Sequence, residues 1–153
     1  MSGPILLVDD DENDVFFMLD AFKKAGVEAP VQVVHDGKEA TDYLTGTGDF
    51  WDRGRFPVPS LVLLDLKLPF VMGLDVLKAI RQQLNLQIIV VILSASREDA
   101  DINAAYRLGA NAYLVKPSDI SKLIDTVRAL DLFWFKTNMP PRTFRAEDSG
   151  KVV

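Results

Sequence analysis

The sequence predicts an α/β fold: a doubly wound, five-stranded parallel sheet in the order 2-1-3-4-5, with helices on both faces. Three observations carry this prediction. Strand-like and helix-like patterns alternate five times along the 153 residues. The strand-like runs are almost wholly apolar, as strands buried on both faces must be. Right-handed crossovers and short connections then leave few topologies for five such units, and the doubly wound order is the natural one.

The elements follow in order. Ile5 to Asp9 reads as the first strand. A helix follows over 12–25, with Val15, Met18, Leu19 and Phe22 at helical spacing and Gly26 as its stop. Pro30 opens the second strand, Val31 to Val34, and a short helix over 38–44 offers Ala40, Tyr43 and Leu44 as its apolar side. Residues 45–59 hold three Gly and two Pro and read as a loop, with Phe50, Trp51 and Phe56 folding it back on the domain and Arg53 and Arg55 solvated. Leu61 to Asp65 is the third strand, and a helix over 74–83 presents Leu74, Leu77, Ala79 and Ile80 to the sheet. Ile88 to Leu93 is the fourth strand, 98–108 the fourth helix, 111–115 the fifth strand and 119–132 the fifth helix. The last of these has Ile120, Leu123, Ile124, Val127 and Leu130 on one side. Phe133-Trp134-Phe135 then anchors the final helix or forms part of an association surface. Residues 1–135 are expected to form one domain, and 136–153 a mobile tail with no output domain after it.

Bulk properties exclude several function classes. There is no cysteine, hence no disulfide framework, thiolate metal site or cysteine nucleophile. Seventeen Lys and Arg against 22 Asp and Glu give a net charge of −5, which argues against a nucleic-acid partner. The N-terminus lacks a basic region followed by an apolar stretch, and no run approaches the ~20 residues that span a bilayer. A cytoplasmic protein with no membrane segment is expected.

Four of the apolar runs end on groups that handle phosphate or metal. The first ends on Asp9 and Asp10, the third on Asp65, the fourth on Ser94 and the fifth on Lys116. Parallel strands bring all four ends to one sheet edge, where open α/β sheets bind their ligands. Hard divalent cations, Mg²⁺ or Mn²⁺, favour such oxygen donors. Asp10 and Asp65 are candidates for direct ligation, Asp9 through a water, and the backbone carbonyl of Lys67 as a further donor. Asp9, Asp10 and Asp11 also suit the N-cap of the first helix, though three exceed what one cap needs. Asp65 is a candidate nucleophile toward phosphorus, giving an aspartyl phosphate. Ser94 is either a hydrogen-bond donor to a phosphoryl oxygen or a helix cap. Lys116 supplies a mobile point charge, and Pro117 after it permits a cis peptide that would aim it into the site. Tyr113 is either a core tyrosine with a wet hydroxyl or a rotamer switch that follows Ser94. His35 reads as an exposed turn residue, and Gly46-Thr47-Gly48 follows a helix, so it is no nucleotide fingerprint.

Residues 4–130 resemble a response-regulator receiver domain of two-component signalling, whose fold is flavodoxin-like. The matching pieces are Ile5-Leu6-Leu7-Val8-Asp9-Asp10, Leu63-Leu64-Asp65-Leu66-Lys67-Leu68-Pro69, Gly73, Leu93-Ser94-Ala95 and Tyr113-Leu114-Val115-Lys116-Pro117. The resemblance implies Asp65 as phosphoacceptor and Asp9 and Asp10 as the acidic metal pocket. It implies phosphoryl contacts from Ser94 and Lys116, and Tyr113 as the switch aromatic. The long loop before the third strand and the Phe-Trp ending are similar to single-domain regulators paired with bacterial phytochromes. That likeness implies a histidine-kinase partner and a homodimer through the fourth helix, fifth strand and fifth helix. Two positions depart from the common receiver pattern: Met72 before Gly73, and Lys67 two residues after Asp65.

Two rival readings follow from the same residues. One is a phosphorylation-independent interaction module with a receiver fold. The other is a phosphohydrolase with an aspartyl nucleophile, but the haloacid-dehalogenase type needs a second Asp where Lys67 stands. A regulator that accepts a phosphoryl group, rather than a turnover enzyme, is the expectation.

Overall fold

The computed structural model describes residues 3–141. Five parallel strands form one sheet: β1 (Ile5–Val8), β2 (Val31–Val34), β3 (Leu61–Leu64), β4 (Ile89–Ser94) and β5 (Ala112–Val115), in the order β2-β1-β3-β4-β5. The helices are α1 (Glu12–Ala25), α2 (Gly37–Thr45), α3 (Gly73–Lys78), α4 (Asp99–Arg107) and α5 (Ile120–Leu130). The predicted topology is the observed one.

Alternation along each strand divides the core in two. Leu6, Val8, Val62, Leu64, Val90 and Ile92 face α2, α3 and α4. Ile5, Leu7, Leu61, Leu63, Ile89, Val91 and Leu93 face α1 and α5. Every residue of β1, β3 and β4 is buried, which explains why these strands are continuous apolar runs.

The helix ends carry the chemistry that the sequence advertises. Asp11 is the N-cap of α1 and accepts from the N–H groups of Asn13 and Asp14, while Gly26 closes the helix in the left-handed region at φ 74°. Within α1, Leu19 is exposed and Ala21 takes the buried position; a fourteen-residue helix drifts off a strict repeat. Ile120 is likewise exposed at the first turn of α5. The third and fifth helices each finish in a π-helical turn, Ala79–Gln83 and Asp131–Phe135.

The first of those turns has a partner that sequence reading did not single out. Arg81 Nε donates to the Gly109 carbonyl, Nη1 to the carbonyls of Leu86 and Ile88, and Nη2 to Asn111 Oδ1. Asn111 Oδ1 also accepts from the N–H of Val90. One guanidinium thus ties the approach to β4 to the approach to β5. Burial lowers its pKa from the ordinary arginine value. Loss of several charge-assisted bonds to carbonyls left behind is costly, so Arg81→Met should lower stability by about 3 kcal/mol. Urea unfolding followed by far-UV circular dichroism checks this.

The 45–59 loop folds back as expected, but not through all its aromatics. Phe50 and Phe56 pack on Tyr43 with ring centroids 5.1 and 6.0 Å away, whereas Trp51 points outward, 72% exposed. Arg53, expected to be solvated, instead donates to the carbonyls of Phe56 and Leu44 and pins the loop to the end of α2. In a segment with little ladder bonding, free carbonyls are what a guanidinium finds. At the other end, Trp134 and Phe135 pack on the α1–α5 side of the core while Phe133 is half exposed. Lys136 reaches back to Asp131 at 3.1 Å, and the N–H of Asn138 bonds to the Phe133 carbonyl. The rest of the expected tail, 142–153, lies outside the described residues. No helix among the described residues is long and apolar enough to cross a membrane.

Candidate functional site

Strand register builds the site. Val8 pairs with Leu64, so Asp9 and Asp65 leave the sheet side by side. Their backbones still hold the ladder: Asp9 N–H bonds to the Val34 carbonyl and Asp65 N–H to the Val8 carbonyl. Ser94 pairs with Val115, and the Lys116 N–H bonds to the Ser94 carbonyl. All four polar strand ends predicted from the sequence therefore meet at one edge.

The carboxylates of Asp9, Asp10 and Asp65 place oxygens within 4.8 Å of one another. Asp9 is buried and Asp10 is exposed, so the cluster opens to solvent on one side. Hard oxygen donors at this spacing fit a divalent cation that keeps part of its water shell. Asp9 Oδ1 accepts from the Asp11 N–H at 3.0 Å, and Asp65 Oδ1 from the Lys67 N–H at 3.2 Å. These backbone bonds fix the carboxylate rotamers.

Lys116 reaches across the top of the sheet. Its Nζ donates to Asp9 Oδ2 at 2.8 Å, to Asp65 Oδ2 at 3.0 Å and to Asp14 Oδ2 at 3.0 Å. No peptide bond among the described residues is cis, so the cis bond that Pro117 permits is not used and the lysine reaches the site from a trans one. Asp14 is the residue that sequence reading missed. It lies in the first turn of α1, three residues after the Asp11 cap, where nothing in the sequence marks a contact with Lys116.

The electrostatics follow from burial. Desolvation raises the pKa of Asp9 above the ordinary carboxylate value and outweighs the bonds from Lys116 and Asp11 that lower it. For Lys116, burial pulls downward, but the bond to Asp9, the charge of Asp65 and the bond to Asp14 prevail, and its pKa is raised. The two partners shift in the same direction because Lys116 gathers three carboxylates, whereas Asp9 has one ammonium to offset both its burial and the charge of Asp65.

The loops that frame the site are tightly specified. A Cβ at Gly73 would fall on the Asp65 carbonyl oxygen, and the Gly73 N–H bonds to the Leu66 carbonyl. Only glycine lets α3 start this close to the candidate phosphoacceptor; Met72, the departure before it, is half exposed. Phe70 in the same loop has φ 66° and is 93% exposed. Ser94 is buried and its Oγ accepts from the Ser96 N–H, so it orders the loop after β4 without capping α4. Ser96 Oγ bonds to Asp101, and the Tyr113 hydroxyl donates to the Ser96 carbonyl at 2.9 Å. Tyr113 is thus half-buried and tethered to the loop that follows Ser94. Lys67 is exposed beside Asp65, and His35 is exposed as expected.

Comparison with known proteins accords with this geometry. The family model described as the response regulator receiver domain matches residues 5–128. The chain is similar to a probable methanogenesis regulatory protein, FilR2, of Methanothrix harundinacea, with 36% identity over 90% of this chain and 86% of the relative. It is similar to the response regulator Rcp1 of Synechocystis, with 34% identity over 87% of this chain and 89% of the relative. The crystal structure of the phosphorylated cyanobacterial phytochrome response regulator RcpA matches with a TM-score of 0.83 and 34% identity, covering 92% of this chain and 99% of the other. The Mn²⁺-bound form of Rcp1 matches with a TM-score of 0.80 and 33% identity, covering 91% and 99%.

Proposed function

This chain belongs to the response regulator receiver family of two-component signalling, and from that premise we propose that Asp65 accepts a phosphoryl group from the phosphohistidine of a sensor kinase. The observation that carries the reading is the grouping of Asp9, Asp10 and Asp65 within 4.8 Å, with the Lys116 ammonium bonded to Asp65 and Asp9. A carboxylate oxygen of Asp65 attacks phosphorus; the bond from phosphorus to the donor nitrogen breaks, and its electron pair stays on the imidazole. Mg²⁺ held by Asp9, Asp10, Asp65 and the Lys67 carbonyl would neutralise charge on the transferring group. Lys116 offers a proton-bearing point charge to one phosphoryl oxygen, and Ser94 Oγ a hydrogen bond to another.

The switch follows from the same bonds. Drawing Ser94 toward a phosphoryl oxygen pulls the loop that carries Ser96, and with it the carbonyl that holds the Tyr113 hydroxyl. The face formed by α4, β5 and α5 then changes, for a partner, a second copy of the chain or a phosphorelay protein. The likeness to a phosphorylated phytochrome regulator and to a Mn²⁺-bound one supports a phytochrome-type kinase and a divalent ion. The test is incubation with phosphoramidate, a donor with the same P–N bond, and Mg²⁺. One acyl phosphate, trapped by borohydride at Asp65, is expected; no trapped residue would favour the phosphorylation-independent interaction module.

Lys67 sets how long the signal lasts. Its exposed side chain, two residues after Asp65, carries a positive charge that favours approach of hydroxide to the charged phosphoryl group. Lys67→Asn should therefore leave phosphorylation intact and lengthen the phosphoryl lifetime about threefold, a surface-charge effect. Decay on phosphate-affinity gels reads this directly, and an unchanged lifetime removes the role.

A further inference from the structure

Lys116 gives its three bonds to three carboxylates, and these are not equivalent. An ammonium has three N–H groups, and here they go to Asp9 at 2.8 Å, Asp65 at 3.0 Å and Asp14 at 3.0 Å. Asp9 and Asp65 are two of the three carboxylates clustered within 4.8 Å; Asp14 is not in that cluster. A divalent cation among Asp9, Asp10 and Asp65 draws on two of the carboxylates that now hold the ammonium. A phosphoryl group on Asp65 removes one of them outright. Of the three carboxylates, Asp14 is the one that neither event touches.

The backbone fixes Asp14 for this task. Its N–H is one of the two that the Asp11 cap receives, so its place on the first turns of α1 does not depend on Lys116. Its side chain is 44% exposed, against 1% for Asp9 and 11% for Asp65. It can therefore stay charged and unligated at low cost, while the deeper pair cannot.

We propose that Asp14 is a positioning residue: it keeps the Lys116 ammonium at the pocket's mouth when cation and phosphoryl group take over Asp9 and Asp65. The proposal rests on the reading of these aspartates as the metal and phosphoryl pocket. Without Asp14, the ammonium of the unphosphorylated chain keeps only Asp9 and Asp65, which the cation also needs, and the two positive charges compete.

A double-mutant cycle on Mg²⁺ affinity, measured by calorimetry on the unphosphorylated full chain, tests this. Asp14→Asn should weaken Mg²⁺ binding about five- to tenfold, the range of one partly exposed hydrogen bond. Asp14→Glu, which keeps the carboxylate, should recover most of that loss. In a Lys116→Met background the effect of Asp14→Asn should fall below about twofold, the residue of a screened charge. Equal weakening in both backgrounds would mean that Asp14 acts only as a general charge, and would overturn the proposal. So would unchanged affinity in Asp14→Asn, or a wild type that binds no Mg²⁺. A second readout needs no Lys116 variant. The ¹⁵N signal of the Lys116 ammonium should persist in the Mg²⁺-bound wild type and exchange away in Mg²⁺-bound Asp14→Asn; the same signal in both would also overturn it. Coupling present without phosphorylation by phosphoramidate would defeat the reading of Asp65 alone. Phosphorylation without coupling would defeat the role of Asp14 alone.

Discussion

Asp65→Asn will carry no phosphoryl group from any donor, under conditions in which the wild type is labelled within minutes. The substitution changes one oxygen to an amide nitrogen, which releases the Lys116 ammonium from this residue but leaves the backbone in place. The Asp65 N–H stays on the Val8 carbonyl, and the Asn amide oxygen can accept from the Lys67 N–H as Asp65 Oδ1 does. What disappears is the anionic oxygen that attacks phosphorus. Asp9 is no substitute, because it is 1% exposed and directed at Lys116 and the Asp11 N–H. Asp10 is exposed but lacks the ammonium contact that Asp65 has. Mg²⁺ binding should weaken as well, since one of three clustered carboxylates is neutralised. Radiolabel from a phosphorylated kinase, followed on gels, gives the result directly; label on Asp10 in the variant would contradict the assignment.

Lys116→Met is expected to cost stability on a par with Arg81→Met. It removes the ammonium that, among the described residues, bonds Asp9, Asp14 and Asp65 and leaves two nearly buried carboxylates facing each other. Breaking a buried pair by removing one partner typically costs about 3–5 kcal/mol, and the partial exposure of Asp14 places this case near about 3. The pH dependence has a definite sign. The folded-state pKa of Lys116 is raised, so its stabilisation is fully present at neutral pH. That stabilisation is lost only as pH rises past the ordinary lysine value and through the higher folded one. Asp9 is shifted upward by burial even with the lysine in place. Without it, the folded state takes up protons more readily than the unfolded chain, so its stability gains as pH falls through the raised Asp9 pKa. The gap between wild type and Lys116→Met should therefore shrink from pH 7 to pH 5. Mg²⁺ should also stabilise the variant more than the wild type, because the cation then meets no competitor. Urea unfolding at the two pH values, with and without Mg²⁺, separates these effects; a gap that widens on acidification would contradict them.

The sheet was legible because burial on both faces forces an unmistakable pattern. Leu61 to Leu64 and Ile89 to Leu93 could be little else. The site was legible for the same reason, since a polar group that ends a fully buried run has nowhere to go but the sheet edge. Asp9, Asp65 and Ser94 were found that way, and Lys116 at the end of the half-buried β5. Contacts that depend on three-dimensional reach were not. Asp14 lies on a helix, where a carboxylate beside a capping Asp11 carries no mark of the lysine 102 residues away. Arg81 sits among the polar residues at the end of a helix, and only the packing of the β4 and β5 approaches shows that it holds four acceptors. Trp51 and Leu19 fail in the opposite sense: apolar composition predicts burial, but a loop and a long helix each leave some apolar surface in water.

Intact-protein mass spectrometry after treatment with acetyl phosphate tests the central claim most directly. The wild type should gain one labile, hydroxylamine-sensitive phosphoryl adduct with Mg²⁺ and none when the cation is chelated, and Asp65→Asn should gain none in either case. An adduct that persists on Asp65→Asn, or forms equally without the cation, would contradict the assignment of Asp65 and its acidic neighbours as a metal-assisted phosphoryl acceptor.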